Sequence, residues 1–102
     1  MIAAVSERAS ELEQLCVLHH VERLDLFGSA ASGDQRKDTD DLDFLVEFQP
    51  LPAGAYADAY FGLLEALETL FEGPVVLIVD SAIRNPFFRQ RVEETRTLLY
   101  AA

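Results

Sequence analysis

Apolar residues return along the chain with two different periods, and the alternation of those periods predicts its elements. From Ser6 to Leu18, a stripe of Leu12, Leu15 and Cys16 marks a helix, with Ser10 and Glu13 in capping-box spacing as an alternative start. Val21 to Phe27 reads as a short strand with Leu24 and Leu26 on one face. The small residues Gly28 to Gly33 form a turn with room for one helical turn at Ala30-Ala31-Ser32. Asp34 to Asp40 is a polar loop, and Asp41 to Phe48 alternates acidic and apolar residues as a strand does. Beyond Pro50, Pro52 and Gly54, residues Tyr56, Tyr60, Leu63, Leu64, Leu67, Leu70 and Phe71 recur at helical spacing. Ala55 to Phe71 is therefore a long amphipathic helix, its aromatic stripe assigned to the core.

Gly73-Pro74 ends that helix, and the β-branched run Val75 to Val79 suits a buried central strand. Asn85-Pro86 supplies a cap and a first-turn proline for a last helix, in which Phe88, Val92, Thr95 and Leu99 share a face and Arg89 supports Glu93 at i,i+4. The order helix, strand, strand, helix, strand, helix predicts an α/β domain: a small mixed β-sheet flanked by helices. With 102 residues and no repeat, low-complexity tract or linker, residues 1–102 are expected to form a single domain.

Charge changes the picture more than composition does. Apolar and charged fractions of 50% and 25% are ordinary for a globular protein, but the formal net charge of −10 repels phosphate backbones and disfavours stable DNA or RNA binding. A nucleotide carried by Mg²⁺, or a basic protein, suits such a surface. No apolar run approaches the ~20 residues of a membrane span and no signal peptide precedes the first helix, so the expected location is the cytoplasm, without a membrane partner. Cys16 is the single cysteine and reads as a small core residue rather than a nucleophile. His19-His20 falls at a helix end, where adjacent histidines cannot both face one ion; dipole interaction or solvation accounts for them.

The candidate chemistry lies in the middle. Asp38, Asp40, Asp41 and Asp43 crowd four carboxylates together, and such like charges repel strongly unless a cation intervenes. A solvated acidic turn explains Asp38 and Asp40. Asp41 and Asp43, however, open the apolar stretch Phe44-Leu45-Val46 and, two apart on a strand, share a face from which both can grip one divalent cation. A calcium loop of the EF-hand kind is excluded, because Asp43 and Gln49 stand where its glycine and glutamate are required. Gly28-Ser29, at the end of the preceding strand, allows a phosphate to approach the backbone and offers it a hydroxyl.

With Phe27-Gly28-Ser29 and Asp41-x-Asp43 in place, the chain resembles the minimal nucleotidyltransferases of the DNA polymerase β superfamily, whose pattern is Gly-Ser, a spacer of about ten residues, then Asp-x-Asp on a strand. The likeness runs through nearly the whole chain to its Arg84-Asn85-Pro86-Phe87 helix. It implies the polymerase-β-type nucleotidyltransferase fold, with Asp41 and Asp43 as catalytic Mg²⁺ ligands and Gly28 and Ser29 at the phosphates of ATP or another nucleoside triphosphate. It also implies a small helical partner of the HEPN type, met by the nucleotidyltransferase as antitoxin in a toxin–antitoxin pair.

Two departures bear on catalysis. Ser32 replaces the basic residue of the family's Gly-Ser-x-Ala-Arg-Gly motif, and the longer spacer carries Arg36 and Lys37, which either compensate or are simply solvated. More seriously, alignment on Arg84-Asn85-Pro86 puts Val76 where the third carboxylate belongs. Asp80 shares its strand parity but lies four residues on, ~13 Å away, and Glu47 stands equally far from Asp43. Two functions therefore stand side by side: an enzyme transferring a nucleoside monophosphate, from ATP in the favoured case, to a hydroxyl of a partner protein or small molecule, or a catalytically degenerate antitoxin that neutralises a basic HEPN-type ribonuclease by contact. An aminoglycoside-type resistance enzyme is less favoured, for want of an added substrate-recognition domain. Apolar surface on the last helix suits a homodimer or a hetero-complex equally.

Overall fold

Strand pairing gathers the apolar runs into a sheet with two differently covered faces. The computed structural model describes residues 3–32 and 42–102. Along them run α1 (Ala3–Ser6), α2 (Ala9–Leu18), β1 (Val21–Phe27), α3 (Ser29–Ser32), β2 (Leu42–Phe48), α4 (Ala55–Phe71) and β3 (Val75–Val79). A 3-10 turn at Asp80–Ala82 leads on to α5 (Pro86–Thr95) and β4 (Thr97–Ala101). The strands lie in the order β3-β2-β1-β4, with β3 parallel to β2 and the other pairs antiparallel. This is the mixed sheet expected from the sequence.

Alternation along β1 and β2 decides which helices cover which face. Leu24, Leu26, Phe44 and Val46 point to one side, where Leu12 and Cys16 of α2 and Leu63 and Leu67 of α4 close the main core. Leu63 and Leu67 are wholly buried, each stabilising the fold by about 1.5–3 kcal/mol. Tyr60 pins α4 to β3 by donating its hydroxyl to the Leu77 carbonyl at 2.6 Å. The expected aromatic stripe belongs only partly to the core, since Tyr56 is exposed and its hydroxyl instead accepts from the Leu51 N–H. On the other face a smaller cluster joins Phe27, Leu45 and Val92, with Ile78, Ile83 and Phe88 around it, and α5 is its lid.

Three elements differ from expectation. The Ser6 to Leu18 helix is broken at Glu7 and Arg8, so that α1 carries Val5 into the core. Arg8 is the N-cap of α2 and makes no side-chain cap, so the capping-box spacing of Ser10 and Glu13 goes unused. The Val75–Val79 run is not central but the end strand of the sheet; it needs apolar residues on both faces because α4 packs on one and the Phe27 cluster on the other. Finally, the last helix stops at Thr95, and Leu99 lies on a strand. Arg96 turns out of the helix at φ −58°, ψ 134°, and Thr97–Ala101 then pairs along the edge of β1 that would otherwise be open.

Elsewhere local sequence rules hold. Asn85 caps α5 by accepting from the Phe87 and Phe88 N–H groups at 2.9 and 3.1 Å, with Pro86 in the first turn. Arg89 and Glu93 meet at 3.1 Å. Cys16 is sealed in the main core, and its thiol is pushed up to about 12 by burial and then by Glu13, which removes it as a nucleophile. His19 packs over Gly62, and burial, followed by the charge of His20, lowers its pKa. Among the described residues no helix is long and apolar enough to cross a membrane.

Candidate functional site

Asp43 stands second on β2, directly opposite Phe27, the last residue of β1. Gly28 then leaves the strand with φ +78°, a left-handed conformation that an L side chain adopts only under strain. A methyl group at Gly28 would lie 2.6 Å from Asp43 Oδ2, so nothing larger than glycine leaves the carboxylate where it is. Ser29 opens the short helix α3 immediately beyond, half-buried, and the Ala31 N–H closes the turn on the Gly28 carbonyl at 3.2 Å. The turn and the aspartate predicted to act together are therefore neighbours. Asp41, its expected companion, and the loop residues Arg36, Lys37, Asp38 and Asp40 lie outside the described residues.

Parallel pairing with β3 sets Val76 in register with Asp43, and paired residues of adjacent strands project from the same face about 5 Å apart. A carboxylate at position 76 would meet Asp43; an isopropyl group stands there instead. The two acids of matching strand parity, too distant by their spacing in the sequence, are engaged elsewhere. Asp80 binds Arg89 at 2.6 Å and Arg96 at 3.1 Å, and Glu47 accepts from the Ser81 N–H at 3.0 Å. Among the described residues no three His, Cys, Asp or Glu side chains converge into a metal cluster. The donors that do face the turn, carboxylate and hydroxyl oxygens, are the hard ligands that Mg²⁺ prefers.

Two features of the site were not anticipated. The Gly28 N–H donates to Thr95 Oγ1 at 2.9 Å, tying the turn to the end of α5. Behind it, Asp25 is completely buried, accepting from Arg23 at 2.8 and 3.1 Å and from Arg96 Nε at 2.7 Å. Arg96 reaches on to Asp80 and Glu93, and Arg89 links the same two acids. Burial alone would lower the pKa of Arg96, yet its bonds to Asp25 and Glu93 hold it above the ordinary arginine value. The signal that could have revealed this network is an aspartate inside Leu24-Asp25-Leu26-Phe27 together with arginines at 84, 89, 91 and 96. An acid flanked by buried apolar residues requires a cation. A groove of about 600 Å³ between α2 and α4 lies beyond the opposite face of the sheet, away from Asp43.

The mixed four-stranded sheet with its flanking helices is the polymerase-β-type nucleotidyltransferase fold. The chain belongs to the nucleotidyltransferase domain family, whose model matches residues 5–99. It is similar to two Methanocaldococcus jannaschii proteins provisionally named protein adenylyltransferases, 34% and 33% identical over 76 residues, 74% of this chain and of each relative. A solved structure provisionally described as a minimal nucleotidyltransferase is 30% identical with TM-score 0.71, covering 90% of this chain and 89% of that one. The fold also recurs in a toxin–antitoxin complex with AMP-PNP, 19% identical with TM-score 0.68 over 92% of this chain and 73% of that one. It recurs again in a complex of a tri-AMPylated Shewanella oneidensis HEPN toxin with its MNT antitoxin, 16% identical with TM-score 0.64 over 95% and 72%.

Proposed function

We propose that this chain binds a Mg²⁺-nucleoside triphosphate, ATP foremost, between the Gly28–Ser29 turn and the Asp41/Asp43 pair, and acts as the antitoxin of a HEPN-type helical partner by transferring AMP to one of its hydroxyls. The observation that carries this is the contact distance between Gly28 and Asp43, which a Cβ would close to 2.6 Å of the carboxylate oxygen. Asp41 and Asp43 would hold the Mg²⁺, which supplies charge neutralisation at the phosphoryl oxygens. Ser29 would bond the terminal phosphates, and Gly28, having no side chain, would let them approach the backbone beside it. In the transfer, the partner's hydroxyl oxygen bonds to the α-phosphorus as the bond to the β-phosphate breaks. Pyrophosphate leaves with the electron pair, and the hydroxyl proton passes to solvent. The adenylyltransferase names of the relatives and the AMPylated HEPN toxin of a structural neighbour support the reading, and a net charge of −10 suits a basic partner.

Val76 favours a second reading, in which nucleotide binding persists, transfer is lost, and the antitoxin acts by contact alone. Incubation with α-labelled ATP, Mg²⁺ and the product of the neighbouring gene separates the two. Label on the partner is the result expected for the enzyme, whereas a stable complex without label establishes the contact antitoxin. Val76→Asp places a carboxylate in register with Asp43, and transfer is expected to rise by about 10²-fold or more. Without metal the two carboxylates repel, so the variant should melt below the wild type in EDTA and recover on adding Mg²⁺. Unchanged transfer and unchanged metal response would remove position 76 from the site.

A further inference from the structure

We infer that Thr95 is a positioning residue for the nucleotide site, holding the Gly28–Ser29 turn at its working distance from Asp43 through a hydrogen bond accepted from the Gly28 N–H. The inference rests on the proposed reading of that turn as the phosphate-binding element. Gly28 lies just beyond the end of β1, and its N–H finds its acceptor 67 residues away in sequence, at 2.9 Å. The Thr95 hydroxyl donates its own proton to the Arg91 carbonyl at 3.2 Å, which directs a lone pair to Gly28. Back-bonding of a threonine to the carbonyl four residues earlier is common in helices and needs no partner outside the helix. Here the same hydroxyl makes a second, long-range bond.

The acceptor is itself immobilised. Thr95 is the last residue of α5, and Arg96, next to it, is held by Asp25, Asp80 and Glu93 at 2.7, 3.1 and 2.8 Å. Those acids come from the middle of β1, the residue after β3, and α5 itself. On the other side Thr97 Oγ1 donates to the Thr95 carbonyl at 3.2 Å. Gly28 can turn about its left-handed conformation with little cost of its own, being glycine. A rotation there would open or close the gap to Asp43, where even a methyl group would displace the carboxylate. The end of α5 thus sets the spacing between phosphate turn and carboxylate, although it contributes no group to either.

The test compares Thr95→Val, which keeps the shape and loses the hydroxyl, with Thr95→Ser, which keeps the hydroxyl. Two readouts are taken: amide hydrogen exchange at Gly28 by NMR, and affinity for Mg²⁺-AMP-PNP by calorimetry. Loss of the bond should speed Gly28 exchange by about 10-fold or more and weaken nucleotide binding by roughly 5–10-fold in the valine variant. The serine variant should return both to within about 2-fold of wild type. A purely structural threonine would give variants that differ in melting temperature and not in these readouts. Unchanged Gly28 exchange in Thr95→Val, or failure of serine to restore it, overturns the inference. So does a wild-type Gly28 amide that exchanges like an open peptide, a measurement that needs no variant to fold. If the wild type takes up no Mg²⁺-AMP-PNP, the functional reading of the turn falls, and the exchange comparison alone decides whether Thr95 holds it.

Discussion

Asp43→Asn is expected to reduce AMP transfer by at least ~10²-fold and to abolish the Mg²⁺ dependence of nucleotide binding. The amide is nearly isosteric and keeps the hydrogen-bonding reach of the carboxylate, so the turn at Gly28 is left in place. It lacks the negative charge, which is what a hard divalent cation selects. A control at Asp58, on the exposed surface of α4, should change neither binding nor transfer. Calorimetric titration with Mg²⁺-AMP-PNP checks the first expectation, and a Kd for Asp43→Asn equal to that of the wild type would remove the aspartate from the site. In the contact-antitoxin case transfer is absent from the outset, and the titration remains the deciding measurement.

Asp25→Ala should produce the largest loss of stability, about 3–5 kcal/mol, because it leaves Arg96 and Arg23 beside a buried hole with their shared acceptor gone. For a chain of this size that corresponds to a fall in Tm of well over 10 °C. The exposed pair Arg8–Glu11, at 3.0 Å, provides the contrast: it is screened by solvent, and Arg8→Ala should change stability by less than about 0.5 kcal/mol. Chemical denaturation of the two variants measures the difference; an Asp25→Ala variant as stable as Arg8→Ala would show that the buried charges do not organise α5.

The same network gives a pH dependence. Burial would raise the Asp80 carboxyl, but the bonds from Arg89 and Arg96 outweigh it and hold Asp80 below its ordinary 3.8. Glu93 is likewise held below 4.5 by its bonds from Arg96 and Arg89. A carboxylate with a depressed folded pKa contributes stability that is complete above its unfolded value and is lost as the pH falls through the folded one. Stability should therefore be flat with respect to these groups above about pH 5 and fall steadily below about pH 4. Arg96→Met, which removes a bond to each acid, should flatten that acid limb. An unaltered limb would assign acid lability to other carboxylates.

Local physics accounts for what was legible beforehand. The bounds of α4 at Ala55 and Phe71 and of β3 at Val75 and Val79 follow from periodicity and from Gly73-Pro74 between them, and the cap at Asn85 follows from side-chain chemistry within one turn. Gly28, Ser29 and Asp43 could be singled out because each is an unusual residue for its place: small residues at a strand end, an acid entering an apolar run. Leu98-Leu99-Tyr100 defeated the same approach, since a short apolar stretch suits helix or strand, and only the open edge of β1 decides for strand.

The sequence by itself determined the α/β element order from α2 to α5 and singled out Gly28, Ser29, Asp41 and Asp43 as candidates, because each depends on residue types and on spacings within one or two elements, whereas the reading of Val76 as a missing acid rests on the family resemblance. Tertiary structure alone decided that Asp43 and Val76 stand side by side, that Asp25 is buried under α5, and that Thr95 holds Gly28. Those contacts join residues up to 71 positions apart, and their partners are chosen by strand register and helix packing, which no local periodicity encodes.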